Sequence, residues 1–394
     1  MILLKIKRFS EKYNAYKEKT PFYFNPIQSQ DDVFITIDNK KLLNFTTFSY
    51  LGLLNHPEII KASIEGIQRY GVGLQGTRML GGNLAIYEET EEALARVLNR
   101  DAGILFQSGF LANIATIQSL TDRSSIIFCA KNNHASILDG CRISKAHTIF
   151  FDHKDLDHLN SLLETTDSNI SKLIIVDSIF SMDGDLVDFP KLLAIRNKHS
   201  NTLLMVDECH SFGTIGVTGR GIEQYYNIPP EEGADLIMAS LSKAIPGNGG
   251  VVVGKNDIIR FLRYQARPLM FSSSLPAACV SVTKASVCFF EKNGEVLIEK
   301  LRNNVKFLRE RLRSYGIPCE DHPSPITSIM IHSEELSFKI AQACFDQGLY
   351  LLPVGFPAVA RGKERLRITI TVNHTEEQIE KGCDILANNY AIRP

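Results

Sequence analysis

Seven short runs punctuate the middle of the chain: Ala102 to Phe106, Ser125 to Cys129, Thr148 to Phe151, Lys172 to Val176, Leu203 to Val206, Leu236 to Ala239 and Gly250 to Val253. Helical patterns separate them. Several runs are apolar nearly throughout instead of alternating, which marks strands covered on both faces by crossover helices. The pattern predicts an α/β open sheet. In such sheets ligands sit beyond the carboxyl ends of the strands, so chemistry is expected in the residues that follow each run.

With 394 residues the chain exceeds one simple core, and it divides on texture into an N-terminal segment 1–50, a large domain 51–285 and a smaller C-terminal α+β domain 286–394. Two apolar-rich stretches around Asp38-Asn39 predict a β-hairpin over residues 34–45. His56-Pro57 opens a helix with Ile60, Ile64 and Ile67 on one face and Gly71 as its stop. Glycines 71, 73, 76, 81 and 82 then form a loop able to approach a ligand closely. A charged helical stretch from Phe289 to Asn304 begins the last domain, and Pro318, Pro323 and Pro325 interrupt it. The chain closes with a strand from Leu366 to Val372 and a helix opened by Thr375-Glu376-Glu377-Gln378, a capping-box pattern whose apolar face is Ile379, Cys383 and Leu386.

Composition narrows the function classes. An apolar fraction of 44% with 22% charged residues is that of a globular catalyst, not of a disordered chain. A formal charge of −1 argues against a nucleic-acid partner and for small molecules. The eight cysteines show neither a C-x-x-C pair nor metal-ligand spacing, so no metal and a reduced, cytoplasmic setting are expected. Met1-Ile2-Leu3-Leu4 meets Lys5, Lys7 and Arg8 at once, leaving no apolar stretch long enough for a signal peptide or a membrane span. An amphipathic first helix docked on the body or on a second subunit is favoured there over weak membrane association.

The run Leu203 to Val206 ends in Asp207-Glu208-Cys209-His210. By itself such an acid caps the next turn. Downstream, however, Ala239-Ser240-Leu241-Ser242-Lys243-Ala244 follows another apolar run and leads into Gly247-Asn248-Gly249-Gly250. A lysine between small hydroxyl residues at a sheet's ligand edge is poorly explained as a solvated charge. Lysine, acid and phosphate donors together suit pyridoxal phosphate: Lys243 to hold the aldehyde, Asp207 to keep the pyridine nitrogen protonated so that the ring acts as an electron sink. His210 is placed to donate to the ring's phenolic oxygen. The run through Phe106-Gln107-Ser108-Gly109-Phe110 reads as a strand passing into a helix whose first N–H groups suit a phosphate. His134, in Asn132-Asn133-His134-Ala135-Ser136, offers a flat ring for stacking on the pyridine. Singly, His134 and His210 are more often structural, Ser-Gly before a helix is common, and the acids and glycine of 177–185 read as a turn. Their coexistence carries the reading.

Tyr50-Leu51-Gly52-Leu53, Gly76-Thr77-Arg78, Ser108-Gly109-Phe110, Asn133-His134-Ala135-Ser136, Phe180-Ser181-Met182-Asp183-Gly184-Asp185, Asp207-Glu208-Cys209-His210-Ser211, Gly219-Arg220-Gly221, Ser242-Lys243-Ala244 and Arg365-Leu366-Arg367 occur in this order. Together they resemble the α-oxoamine synthase family of pyridoxal phosphate enzymes over nearly the whole chain, with bacterial serine palmitoyltransferases nearest. The resemblance implies a fold-type-I transferase with a mostly parallel sheet. It makes Lys243 the Schiff-base lysine, Asp207 the pyridine-nitrogen partner and His134 the stacking ring, with His210 and Ser181 near the phenolic oxygen. Ser108, Gly109, Phe110 and Ser240 would hold ring and phosphate, Ser272 and Ser273 would reach the phosphate from the second subunit of a homodimer, and Arg367 would pair with the substrate carboxylate.

The implied reaction is decarboxylative condensation of a small amino acid with an acyl-CoA, serine first. Alanine with a pimeloyl thioester, as in amino-oxononanoate synthase, comes next, and glycine with a short acyl-CoA after it. Transamination and a non-catalytic partner subunit are the readings from other classes. Residues 21–29, from Pro21 to Ser29, and 354–359 are similar to serine palmitoyltransferases. Two positions depart from the family pattern: Phe48-Ser49 replaces the usual Asn beside the substrate, and Cys209 replaces the commoner Ala.

Overall fold

The computed structural model describes residues 1–17 and 23–391; Pro21 and Phe22 of the segment likened to serine palmitoyltransferases lie outside the described residues. Two compact units are formed, one from Phe48–Asn303 with His322–Pro325, the other from Met1–Thr47, Asn304–Asp321 and Ile326–Pro394.

The first unit is built on a seven-stranded sheet in the order Ala102–Phe106, Pro246–Gly254, Leu236–Ser242, Thr202–Asp207, Ser171–Asp177, Ser125–Ala130 and His147–Phe151. All seven apolar runs are strands. Pro246–Gly254 runs antiparallel to both neighbours and the remaining pairings are parallel. Burial explains the unbroken apolar runs: Ile104, Phe106, Ile127, Leu173, Ile175, Met205, Met238 and Val252 are all 2% exposed or less. Each such side chain is worth about 1.5–3 kcal/mol of transfer free energy. Register then decides function, because Asp177 and Asp207 are Cα partners at the carboxyl ends of adjacent parallel strands and so face the same side.

The helix Pro57–Tyr70 forms as expected, with Gly71 at φ 82° as its C-cap. Its apolar face does not point inward: Ile59 is buried, whereas Ile60, Ile64 and Ile67 are exposed. Periodicity revealed the stripe but not which side the body would cover. The charged stretch 289–304 belongs to one longer helix, Ala277–Ser314.

The second unit joins the two ends of the chain. Phe34–Ile37 and Lys40–Asn44 form the hairpin, with Asp38 and Asn39 both at positive φ, the turn that matches strand twist. Leu349–Tyr350 pairs parallel to Lys40–Asn44, so the segment set apart as 1–50 is tied by hydrogen bonds to the C-terminal part. Sequence texture gives no sign of that long-range pairing. A three-stranded antiparallel sheet places Arg365–Thr369 between Ile326–Met330 and Leu352–Val354. The last helix, Glu376–Tyr390, has the expected capping box and buries Ile379, Cys383 and Leu386.

Candidate active site

The carboxyl edge of the large sheet gathers most of the chemically distinctive residues. Lys243 follows Leu236–Ser242, and its Nζ lies 3.0 Å from His210 Nε2. On the other side of that ring, the Tyr50 hydroxyl lies 2.9 Å from Nδ1. The phenyl ring of Phe48 stands 5.8 Å from the Lys243 amine and 6.0 Å from the imidazole. The residue that departs from the family pattern thus stands beside the Lys243 amine.

Both oxygens of Asp207 accept a hydrogen bond, Oδ2 from the Asn113 amide and Oδ1 from the Cys209 N–H, each at 2.9 Å. Asn113 Nδ2 also reaches Ser136 Oγ at 2.9 Å. Asp177 has one donor, the His134 N–H at 3.1 Å, and its Oδ1 is buried without a hydrogen-bond partner. Burial, with Asp207 alongside, pushes the Asp177 carboxyl well above the usual range. The two acids are therefore unlike in their surroundings: Asp207 has a donor on each oxygen, whereas Asp177 has one donor and burial drives it toward its protonated form.

His134 caps the helix Ala135–Ser144 and holds Ser136 Oγ with Nδ1 at 2.7 Å. Burial lowers its pKa, Asp207 opposes this and Lys243 adds to it. The ring is thus kept neutral and suited to lie against an aromatic cation. Phe110 meets it edge-on at 6.2 Å.

Ser108 is the N-cap of Gly109–Leu120, its hydroxyl accepting from the Leu111 N–H. A Cβ on Gly109 would come 3.4 Å from that of Ser240, and one on Gly250 would lie 2.6 Å from Gly109 Cα. Glycine at both positions lets a strand pass under the helix start and leaves a cradle beside its first N–H groups. Ser240 pairs with Ser242 through their hydroxyls. Ser181 is half-buried in the turn after Ser171–Asp177, Ser272 is half-buried and Ser273 exposed, the Ser273 carbonyl accepting from Gln107 Nε2 at 2.8 Å. Arg367 belongs to the other unit, buried on Arg365–Thr369.

Sequence reasoning gave no role to Asn113, Tyr50 or Asp177. Asn113 is fully buried in the helix Gly109–Leu120, but Thr116, Gln118 and Ser119 share that helix, so the sequence did not single it out. Tyr50 lies too far along the chain from His210 for spacing to suggest the pairing.

An amine, a carboxylate with two donors, a neutral ring and a glycine-lined helix start fit pyridoxal phosphate by the chemistry of the donors, and with this sheet they define a pyridoxal phosphate-dependent enzyme of fold type I. The sequence pattern described as aminotransferase class I and II matches residues 40–386. An 8-amino-7-oxononanoate synthase of Treponema denticola is 37% identical, covering 91% of this chain and 90% of its own. A serine palmitoyltransferase of Sphingobacterium spiritivorum is 36% identical, covering 92% and 90%. Among solved structures, a serine palmitoyltransferase from S. paucimobilis superposes with a TM-score of 0.93 at 26% identity, over 98% of this chain and 97% of that one. The chain belongs to the class I and II aminotransferase family and, within it, to the α-oxoamine synthases. It is a pyridoxal phosphate-dependent acyltransferase.

Proposed function

We propose that this enzyme condenses serine with an acyl-CoA, releasing the thiol and carbon dioxide and forming an α-amino ketone. The observation that carries the reading is the row Tyr50, His210, Lys243 beside an acid with two donors. When bound, pyridoxal phosphate supplies the electron sink for a Cα anion and for decarboxylation. Lys243 would hold the cofactor and, as a free amine, take the Cα proton as general base. His210 Nε2 faces the Lys243 amine and Nδ1 the Tyr50 hydroxyl; with the cofactor held by Lys243, Nε2 would be freed for the phenolic oxygen, the Tyr50 hydroxyl then donating to Nδ1. Asp207 holds the ring nitrogen's proton and His134 covers the ring. His210 and Ser181 address the phenolic oxygen, and Ser108, Gly109, Phe110 and Ser240 hold ring and phosphate. Ser272 and Ser273 of the partner subunit complete the phosphate site in a homodimer. Arg367 pairs with the substrate carboxylate through its fork of donors.

The high TM-score to serine palmitoyltransferase supports serine as the amino acid. A second reading, alanine with a pimeloyl thioester, draws on the sequence relatives named 8-amino-7-oxononanoate synthase. Thiol release from a panel of acyl-CoAs with serine, alanine or glycine separates the two. Serine with a long acyl chain is expected to react fastest. Preference for alanine with pimeloyl-CoA would replace the first reading by the second, and keto acid appearing without thiol would overturn both.

A further inference from the structure

Two fully buried side chains, Asn113 and Ser136, run between Asp207 and the His134 ring. Asn113 belongs to the helix Gly109–Leu120 and Ser136 to the first turn of Ala135–Ser144, two helices packed on one another. The donors and acceptors available give each bond in this chain a direction. An amide oxygen turned to Asp207 would set two acceptors together, so Asn113 presents Nδ2, at 2.9 Å from Asp207 Oδ2. Its second N–H goes to Ser136 Oγ, also at 2.9 Å. That hydroxyl, an acceptor on this side, turns its own proton to His134 Nδ1 at 2.7 Å. The Ser136 backbone N–H reaches the same nitrogen at 3.3 Å. Two donors therefore converge on Nδ1, and a proton there would face both of them.

We propose that Asn113 and Ser136 are positioning residues that tie Asp207 to His134 and fix the His134 ring as the neutral tautomer with its proton on Nε2. The inference rests on the reading of His134 as the ring that covers the cofactor. Held this way, the ring lies against a protonated pyridine without setting a second cation beside it, and its one N–H is kept at the nitrogen remote from the relay. The charged and titratable groups around it do not all favour this state: burial disfavours the imidazolium, Asp207 favours it and Lys243 opposes it, while Asp177 takes the His134 backbone N–H. The relay acts besides these, because protonating Nδ1 requires the Ser136 hydroxyl to turn away and its backbone N–H to lose its acceptor. Both side chains are fully buried, so water does not replace either bond.

Cofactor-loaded enzyme labelled with nitrogen-15 in histidine tests this through its imidazole nitrogen resonances, the His134 pair being the one missing from His134→Gln. At about pH 7.5 a bare Nδ1 and a protonated Nε2 are expected, this tautomer exceeding the other by about tenfold or more. Ser136→Ala removes one donor to Nδ1, and Asn113→Ala frees the serine hydroxyl to accept from that nitrogen, so each is expected to lower the ratio by about fivefold. A purely structural role for the two side chains would not move it. A proton on Nδ1, or on both nitrogens, in the parent enzyme would overturn the proposal, and this holds even where a variant fails to fold. An unchanged ratio in either folded variant would overturn it as well. Thiol release is followed separately: its absence from an enzyme that shows the Nε2–H ring would count against the condensation and leave the relay standing.

Discussion

At the scale of single residues, the site turns on how differently two neighbouring acids are surrounded. Asp207 has a donor on each oxygen, while Asp177 has one donor and a carboxyl pushed well above the usual range by burial. Asp207→Asn is expected to lower kcat by roughly 100-fold or more, since it removes a preorganised charge. Asp177→Asn keeps an acceptor for the His134 N–H and replaces by an amide an acid that burial already drives toward its protonated form, so its loss should stay within about tenfold. Steady-state kinetics on the two variants check this; equal losses would show the charge to be shared. Lys243, Asp207 and the Ser108-Gly109 turn were legible in the sequence because each directly follows or ends an apolar run, and the open-sheet rule points there. Asp177 follows a run too, but a carboxylate's protonation state depends on its neighbours across the sheet, which spacing along one chain does not contain.

The element that joins Asp207 to the rest of the site is the loop 208–222. Ser178 Oγ donates to the Asp207 carbonyl at 2.8 Å and lies 2.6 Å from Ser211 Oγ, which in turn donates to Glu208. The Glu208 carboxyl accepts the Ile222 N–H, and Gly221 stands where a Cβ would come 2.0 Å from Glu208 Oε2. Burial is the main force raising Glu208, to about 8 from an ordinary 4.5. Between those values the folded chain holds a proton that the unfolded chain has released. This contribution to stability is therefore full below pH 4.5 and is lost as pH climbs through 8. Glu208→Gln mimics the protonated acid, so its thermal midpoint should fall less than that of the parent between about pH 5 and 8. Parallel midpoint curves would contradict this. Elements of this kind were the least legible: the seven strands announce themselves by unbroken burial, but the loop's hold on Glu208 depends on Ser211 and Gly221, which stand in two separate motifs whose spacing gives no sign of that contact. The stripe Ile60, Ile64 and Ile67 teaches the complementary lesson, that periodicity fixes a face and not what covers it.

For the whole molecule, two buried or half-buried lysines stand at opposite edges of one sheet. Lys172, at the amino end of Ser171–Asp177, is 4% exposed and donates to the carbonyls of Ser168, Ile170 and Ser200 at 3.4, 2.8 and 3.2 Å, a satisfied structural role. Lys243, at the carboxyl edge, faces an imidazole across the end of the strand that carries Asp207. Sheet direction alone separates the two, because the ligand side of an open α/β sheet is the carboxyl side. Everything proposed for this enzyme, from the electron sink to the loss of carbon dioxide, requires the cofactor to be held by the second of these amines. Borohydride reduction of the purified enzyme fixes the cofactor to the amine that binds it, and peptide mass mapping of the whole chain then locates the label. The pyridoxyl group is expected on the peptide containing Lys243 and absent from it in Lys243→Ala; a label on Lys172 or on any other lysine, or none at all on a fully folded enzyme supplied with cofactor, would contradict the account.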